Sequence, residues 1–158
     1  TADDRCQVHL IAHVNSENIP VDDDGRIVDL LAREFPQVVR VPDFADPVAA
    51  KSYISGLDAL VAARMHACIA AYSSGVATIP VAYSRKFAGL FGGALGYPHM
   101  VPVAGMTTVE AVDYVIDRIA HRDALAAEIA AGLRAVEILL DGYVDTLAAE
   151  IAATKQKS

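Results

Sequence analysis

The sequence predicts an α/β fold, a Rossmann-like parallel sheet flanked by helices. Short apolar runs typical of strands alternate with segments whose apolar residues recur every three or four positions, as in amphipathic helices. Helix start and stop signals separate the two patterns. The chain has 158 residues, 54% of them hydrophobic, which is enough for one domain with a core. Strands that alternate with helices form parallel sheets with right-handed crossovers.

The first two predicted strands enclose a helix. Val8–Val14 is a mostly apolar run that suits a strand. A helical spacing of apolar residues begins at Asp22, and Pro36 ends it because proline cannot continue a helix. Val38–Val41 is the second strand. Asp46 then caps another helix, whose first residue is a proline.

The middle of the chain holds the two strands that matter most for function. Leu57–Ala63 is nearly all apolar, as expected of a strand buried on both faces. His66–Ser74 is the next helix, with Gly75 at its C-terminal turn. Val76–Tyr83 is the fourth strand, and Pro80 within it must lie at an edge, at a bulge or at the strand's start.

The remaining third of the chain is mainly helical. Glycines weaken a helix predicted over Lys86–Leu95, and Met100–Val103 is a fifth, short strand. Thr107 and Glu110 have the spacing of a capping box. Behind them two apolar stripes predict two helices. The first comprises Val109, Val112, Val115, Ile116 and Ile119, and the second comprises Leu125, Ile129, Leu133, Val136, Leu140, Val144, Leu147 and Ile151.

We expect one Rossmann-like domain over residues 1–153 and a polar tail over 154–158. A net charge of -7 argues against nucleic-acid binding, which requires a basic face. Met65–Ser84 and Phe87–Val109 lack charge and are long enough to span a bilayer, but their glycines, prolines and histidines indicate buried segments instead, so we expect no transmembrane segment. Two cysteines without a C-x-x-C spacing indicate reduced thiols and a cytoplasmic protein.

A candidate anion site lies where the third and fourth strands end, since ligands of open α/β sheets bind beyond the carboxyl ends of the strands. Arg64 and His66 stand at the start of a helix whose first amides are free to bind an anion. Arg85 and Lys86 follow the fourth strand. The alternative is structural: Arg64 pairs with a carboxylate such as Asp58, and His66 caps the helix.

Other motifs with known chemistry are missing. His9 and His13 lack the glutamate and the helix of a zinc protease, so we expect no metal. His9 is predicted to be structural, whereas His13 ends the first strand at the candidate edge. The glycines after Lys86 do not follow the G-x-G-x-x-G pattern, so no dinucleotide cofactor is expected. No G-x-S-x-G nucleophile elbow is present.

Three successive motifs resemble the polysaccharide pyruvyl transferases. The C-terminal halves of these enzymes show an R-x-H-A motif, a small-residue helix with a G-V turn, and a Y-S-x-K-like segment before a leucine- and glycine-rich helix. The matching segments are Arg64–Ala67, Ala71–Val76 and Ile79–Phe87, and the resemblance is specific from Asp58 to Tyr97. Ala77 departs from it, because the family commonly has proline after G-V.

The resemblance implies a GT-B-like enzyme of two domains, of which this chain is the C-terminal, donor-binding half. The implied transferase moves the enolpyruvyl group of phosphoenolpyruvate onto a sugar of an exopolysaccharide or another cell-surface polysaccharide precursor, forming a pyruvate ketal. Arg64 and His66 would be catalytic. The residues expected to contact substrate are Arg64, Met65, His66, Tyr83, Ser84, Arg85, Lys86 and His13. An N-terminal domain outside this chain would bind most of the sugar acceptor, so the isolated chain should be inactive.

Two alternatives remain open. The chain is either the nucleotide-sugar-binding half of a GT-B glycosyltransferase or a non-catalytic anion-binding Rossmann-like domain. Nucleotide-sugar enzymes usually present a carboxylate to the ribose, and a pocket-facing Glu110 or Asp113 would favour that function. The cations Arg64, Arg85 and Lys86 favour a compact, doubly charged ligand instead.

Overall fold

A computed structural model describes residues 6–16 and 23–155. The chain divides into two compact units, Thr1–Tyr53 and Ile54–Ser158. Each unit has its own parallel sheet flanked by helices, which confirms the predicted α/β class and is consistent with a Rossmann-like fold. The single domain over 1–153 stays a prediction.

The first unit pairs strand β1 (His9–Leu10) with strand β2 (Val39–Arg40) in parallel. Helix α1 (Asp24–Glu34) connects them, and the Asp23 side chain caps it by accepting from the Gly25 amide at 3.0 Å. Asp22, where we predicted the helix to begin, lies outside the described residues.

Two other predictions for this unit are confirmed. Asp46 caps helix α2 (Pro47–Ile54), and its carboxylate accepts from the Ala49 amide at 2.8 Å. His9 is structural, because its Nδ1 is hydrogen-bonded to the Tyr53 hydroxyl at 2.5 Å.

The first strand is shorter than the predicted Val8–Val14. Its ladder covers only His9–Leu10, so His13 lies three residues beyond the strand rather than at its end. The Asp24 carboxylate accepts from the amides of His13 at 3.2 Å and Val14 at 3.0 Å. The Asp24 amide in turn donates to the Val14 carbonyl at 2.9 Å. The start of α1 therefore binds the backbone groups that would otherwise extend the strand.

The second unit contains a three-stranded parallel sheet in the order β3 (Ala59–Ala62), β4 (Ala77–Ala82), β5 (Val101–Pro102). β3 and β4 pair over four residues, from Ala59 opposite Ala77 to Ala62 opposite Pro80. The expectation that β3 is buried on both faces is wrong, because Leu60 is buried whereas Val61 is 40% exposed. Neighbouring strand residues face opposite ways, so only one face of β3 is fully covered. The central strand β4 is the one buried over most of its length.

Pro80 lies inside the central strand β4, at a position where β4 does not yet pair with β5. Residues two apart direct their backbone groups to the same side. The Ala82 carbonyl accepts from the Val103 amide at 3.1 Å, so the Pro80 nitrogen also faces the β5 side. Pairing with β5 begins only at Val81, opposite Val101. The missing proline N–H therefore costs no ladder hydrogen bond.

Helix α3 (Met65–Tyr72) follows β3 and packs on a cluster of buried aromatic residues. Gly75 has a φ of +78°, which confirms its predicted place in the turn after the helix. The Tyr97 hydroxyl donates to the Thr78 carbonyl at 2.7 Å, which satisfies a buried backbone group of β4. The cluster comprises Cys68, Tyr72, Phe87, Phe91, Tyr97 and Ile129.

The helix predicted over Lys86–Leu95 is instead one α-helical turn, α4 (Arg85–Phe87), followed by a π-helical segment, Ala88–Ala94. The Leu95 amide donates to the Leu90 carbonyl, five residues back, at 2.9 Å. Phe87 and Phe91 are both fully buried and stack at 6.3 Å between ring centroids. This five-residue hydrogen bond is the pattern of a π-helix, a rare form that occurs as short segments within helices.

Two helices complete the unit, α5 (Thr108–Ala120) and α6 (Arg122–Lys155). The predicted capping box is present at the start of α5. The first apolar stripe is only partly buried: Val115 and Ile119 pack against a second core cluster, whereas Val109, Val112 and Ile116 are exposed. Of the predicted polar tail, residues 154 and 155 belong to α6, and 156–158 lie outside the described residues.

Helix α6 packs against the core through its first turns, where Leu125 and Ile129 are buried. A Cβ atom at Gly132 would overlap the Tyr72 hydroxyl, so the close approach of the helix to the aromatic cluster requires glycine at this position. Among residues 6–16 and 23–155, no helix is long and apolar enough to cross a membrane.

We predict that Gly132→Ala destabilises the fold by about 1–3 kcal/mol, the usual cost of overpacking a core. In a Tyr72→Phe background the same substitution should cost less, because the nearest remaining atom, Tyr72 Cζ, lies 3.5 Å away. Gly142→Ala in the same helix meets nothing within 4 Å and is the matched control. Urea unfolding of Gly132→Ala, Tyr72→Phe, the double variant and Gly142→Ala gives their free energies of unfolding. If Gly132→Ala costs the same stability with and without Tyr72→Phe, the prediction is wrong.

We also predict that the capping box stabilises α5 in a pH-dependent way. The Glu110 carboxylate accepts from the Thr107 amide at 2.7 Å and hydroxyl at 2.8 Å, and these hydrogen bonds lower the pKa of Glu110 from 4.5. A lowered folded-state pKa means that the stabilisation is present above 4.5 and is lost as the pH falls through the folded value.

Free energies of unfolding of wild type and Glu110→Gln, measured from pH 7 down to about pH 3, test this prediction. The difference between the two proteins should shrink as the acid limit is approached. A difference that stays constant over the whole range would refute the carboxylate's role in the cap.

Candidate functional site

The pairing of β3 with β4 places two predicted segments at one edge of the sheet. Both strands are parallel, so their carboxyl ends lie at the same edge. Arg64 has extended backbone angles, φ -90° and ψ 117°, and continues the line of β3 beyond Ala62. Continuing the register of Ala62 with Pro80 puts Arg64 level with Ala82, the residue before Tyr83. Neighbouring strands are about 4.8 Å apart, so the two segments are adjacent.

The first segment is the start of α3. Arg64 is the N-cap residue and its carbonyl accepts from the Cys68 amide at 3.1 Å, which begins the helix at Met65. The Arg64 side chain does not cap the helix. The amides of the first turn therefore face the sheet edge together with the positive end of the helix dipole.

His66 is the second residue of this helix rather than its cap, so the alternative that it caps the helix is wrong. Its side chain is exposed, while Arg64 and Met65 are half-buried. Within the described part of the chain, the His66 imidazole makes no hydrogen bond or ion pair. An exposed imidazole beside an arginine is free to bind an anion or transfer a proton.

Cys68 holds the start of α3 against the end of β3. Its thiol is buried and donates to the Ala62 carbonyl at 3.3 Å, a backbone group at the end of the strand. Burial raises the pKa of Cys68 to about 12, so the sulfur stays protonated at neutral pH. A buried neutral thiol is an anchor and not a nucleophile.

The second segment follows β4. Ser84 is the N-cap of α4, and Arg85 and Lys86 are exposed in its first turn. Neither cation forms an ion pair with any described residue. Both charges are thus available to an external anion, in a chain whose net charge is -7.

Tyr83 joins this segment to the core. Its ring packs edge-on against buried Phe87 at 5.5 Å between centroids, yet the residue is 63% exposed. Phe87 is also the last residue of α4, so packing of one aromatic pair orients the turn that carries Arg85 and Lys86.

His13 belongs to the first unit, and its contribution to the site stays a prediction. Its amide and that of Val14 already donate to the Asp24 carboxylate. An anion near this loop would therefore have to bind through side chains.

The structure also bears on the carboxylate expected of a nucleotide-sugar site. Glu110 is engaged in the capping box of α5 and does not offer a free carboxylate. In residues 6–16 and 23–155, no three His, Cys, Asp or Glu side chains lie close enough together to hold a metal ion.

Two features of this edge were not predicted from sequence: the Cys68 anchor and the π-helical segment after Lys86. Phe87 and Phe91 are four residues apart, which is the spacing of an α-helix and gives no sign of the π-helical form. No sequence pattern identifies the hydrogen bond from Cys68 to Ala62.

Comparison with known proteins supports a specific family. The family model for polysaccharide pyruvyl transferase matches residues 4–85, which is just over half of the chain and includes Arg64, His66 and Arg85. Lys86 and the glycine-rich segment lie beyond the match, although the resemblance noted from sequence extended to Tyr97. No curated protein and no solved structure matches the chain. The chain belongs to the polysaccharide pyruvyl transferase family.

Proposed function

We propose that this chain is the donor-binding half of a pyruvyl transferase and that phosphoenolpyruvate binds at the shared edge of β3 and β4. The supporting observation is that Arg64 and His66, at the start of α3, lie beside Arg85 and Lys86, two cations without an ion pair to any described residue. Family membership implies a transferase and a sugar substrate.

The charges of phosphoenolpyruvate fit this arrangement. The ligand carries a carboxylate and a phosphate, and a guanidinium such as that of Arg64 grips either group with two parallel hydrogen bonds. The first-turn amides of α3 and the side chains of Arg85 and Lys86 provide further positive potential for the other anionic group. Met65, Tyr83 and Ser84 complete the proposed contacts.

In the proposed reaction, two sugar hydroxyls form bonds to the central carbon of phosphoenolpyruvate, and its bond to the phosphate oxygen breaks. One hydroxyl proton ends on the methylene carbon, which becomes a methyl group, and the other leaves with the phosphate. His66 protonates the departing phosphate as a general acid. Arg64 stabilises the negative charge that builds up on the leaving group.

We place the sugar acceptor mainly on an N-terminal domain of a GT-B-like enzyme, outside this chain. The acceptor would be a precursor of an exopolysaccharide or another cell-surface polysaccharide, modified in the cytoplasm, where phosphoenolpyruvate is made. On this proposal the 158-residue chain alone does not turn over. A phosphate-release assay with phosphoenolpyruvate and sugar acceptor, run beside a longer chain, tests that requirement.

The nucleotide-sugar alternative has less support. It requires a carboxylate for the ribose. Of the two candidates, Glu110 is held by Thr107 in the capping box, and the role of Asp113 stays a prediction. Two adjacent cations without an ion pair to any described residue suit a small ligand with two anionic groups better than a nucleoside.

We predict that Arg64→Ala weakens phosphoenolpyruvate binding by about 1.5–3 kcal/mol, the range for hydrogen bonds to a charged group. That range corresponds to a loss of about 10- to 150-fold in affinity. Isothermal titration calorimetry of the purified chain measures it. Arg134→Ala, which removes an exposed arginine of α6, is the matched control and should leave the affinity unchanged.

If Arg64→Ala binds phosphoenolpyruvate as tightly as the wild type, Arg64 is not part of the donor site. An equal loss in Arg134→Ala would show that the binding reflects general charge rather than a site at the end of β3.

A further inference from the structure

Tyr83 stands between a charged side and an uncharged side of the sheet edge. On the β3 side, Arg64 and the start of α3 lie next to it. On the β5 side, the Val103 amide donates to the Ala82 carbonyl at 3.1 Å, which extends the pairing of β4 with β5 by one residue. Tyr83 and Val103 therefore follow the two strands side by side, about 4.8 Å apart.

Both side chains offer apolar surface to a ligand. Tyr83 is 63% exposed and Val103 is 54% exposed. The Tyr83 ring contacts Phe87 edge-on, and one contact of this kind leaves a face of the ring open to solvent. The Tyr83 hydroxyl makes no hydrogen bond to any described residue. We call Tyr83 and Val103 together the Tyr83–Val103 surface.

The distribution of charge separates this surface from the donor site. The cations Arg64, Arg85 and Lys86 come from the start of α3 and the first turn of α4. No charged residue occurs from Phe87 to Val109, a range that contains β5 and the whole loop after it. The cations favour an anion, whereas the β5 side of the edge favours a neutral ligand.

The proposed reaction indicates which neutral ligand lies there. Two sugar hydroxyls form bonds to one carbon of phosphoenolpyruvate, and reacting atoms lie about 3–3.5 Å apart before a bond forms. The reacting sugar ring therefore contacts the donor and also the residues of this chain that border the donor site. A pyranose ring has an apolar face where several C–H bonds point the same way, and apolar faces pack well on an aromatic ring.

We propose that the Tyr83–Val103 surface binds the reacting pyranose ring of the sugar acceptor. The open face of Tyr83 stacks on the apolar C–H face of the sugar, and Val103 extends this contact. The hydroxyls at the rim of the sugar then point toward the donor beside Arg64 and His66. This inference rests on the proposed function and adds to it the acceptor subsite that this chain itself supplies.

A nucleobase is another flat, neutral group that stacks on an exposed aromatic ring. A nucleotide sugar would also require a carboxylate for its ribose, and Glu110 is held in the capping box of α5. The sugar acceptor is therefore the favoured occupant, and uridine serves as the competing ligand in the test.

Saturation-transfer difference NMR of the 158-residue chain with phosphoenolpyruvate present tests the proposal. The probes are the methyl β-pyranosides of galactose, glucose and mannose. At least one of them should receive saturation, and the protons of one sugar face should receive more than those of the other. Tyr83→Phe should keep this signal because the aromatic ring remains, whereas Tyr83→Ala should lower it about fivefold.

A second substitution leaves the packing of Tyr83 on Phe87 in place. Val103→Ser should lower the sugar signal about twofold through lost apolar contact. Val144→Ser is the matched control, because Val144 is 55% exposed and lies in α6, and it should leave the signal unchanged. Calorimetry should show that Tyr83→Ala lowers the affinity for the sugar by a larger factor than the affinity for phosphoenolpyruvate.

The donor site and the acceptor subsite fail in different ways. If phosphoenolpyruvate binds and no sugar receives saturation, the acceptor subsite is wrong and the donor site stands. If phosphoenolpyruvate does not bind, the proposed function fails and this inference fails with it. An equal loss of signal in Tyr83→Ala and Val144→Ser would place the sugar elsewhere on the chain. Saturation of uridine that exceeds that of every sugar and is lost in Tyr83→Ala would assign the ring to a nucleobase.

Discussion

The pairing of β3 with β4 is the constraint on which the candidate site depends. Arg64 and His66 are separated from Arg85 and Lys86 by about twenty residues of sequence, and only the parallel ladder brings the two segments to one edge. Its register, with Ala62 opposite Pro80, sets how far each segment extends beyond the sheet. A shift by one residue would turn the side chains of one strand to the other face.

Buried contacts on both sides of the edge keep this register. Cys68 ties the start of α3 to the last carbonyl of β3, and Tyr97 binds the Thr78 carbonyl of β4 through its hydroxyl. Burial raises the pKa of Tyr97 well above its usual value, so this hydroxyl remains a donor throughout the physiological range. The charged residues at the edge are thus carried on neutral, buried anchors.

Local sequence signals predicted the order of elements well, because caps, prolines and apolar spacing act over a few residues. Asp46, Gly75 and the pair Thr107 and Glu110 occupy the positions in turns and caps that were expected of them. The features that the sequence did not predict depend on contacts between residues that are distant in the chain. The bonds from Asp24 to His13 and Val14 shorten the first strand, although each segment alone has the expected pattern.

The π-helical segment and the exposed half of α6 illustrate the same limit. The segment is π-helical, with a hydrogen bond from the Leu95 amide to the Leu90 carbonyl, although Phe87 and Phe91 have the spacing of an α-helix. In α6 a single apolar periodicity runs through residues that the core covers and residues that it does not, so the sequence pattern does not show where the packed part of the helix ends. The motif at the sheet edge was predictable because it consists of residues next to strand ends, whose place follows from topology.

The most direct test of the donor site is an NMR titration of isotope-labelled chain with phosphoenolpyruvate, inorganic phosphate and UDP. We predict that phosphoenolpyruvate shifts the amide signals of Arg64–Ala67 and Ser84–Lys86 more than phosphate does at the same concentration, and that UDP has a smaller effect. A larger response of these amides to UDP than to phosphoenolpyruvate would contradict the donor site and favour a nucleotide-sugar enzyme.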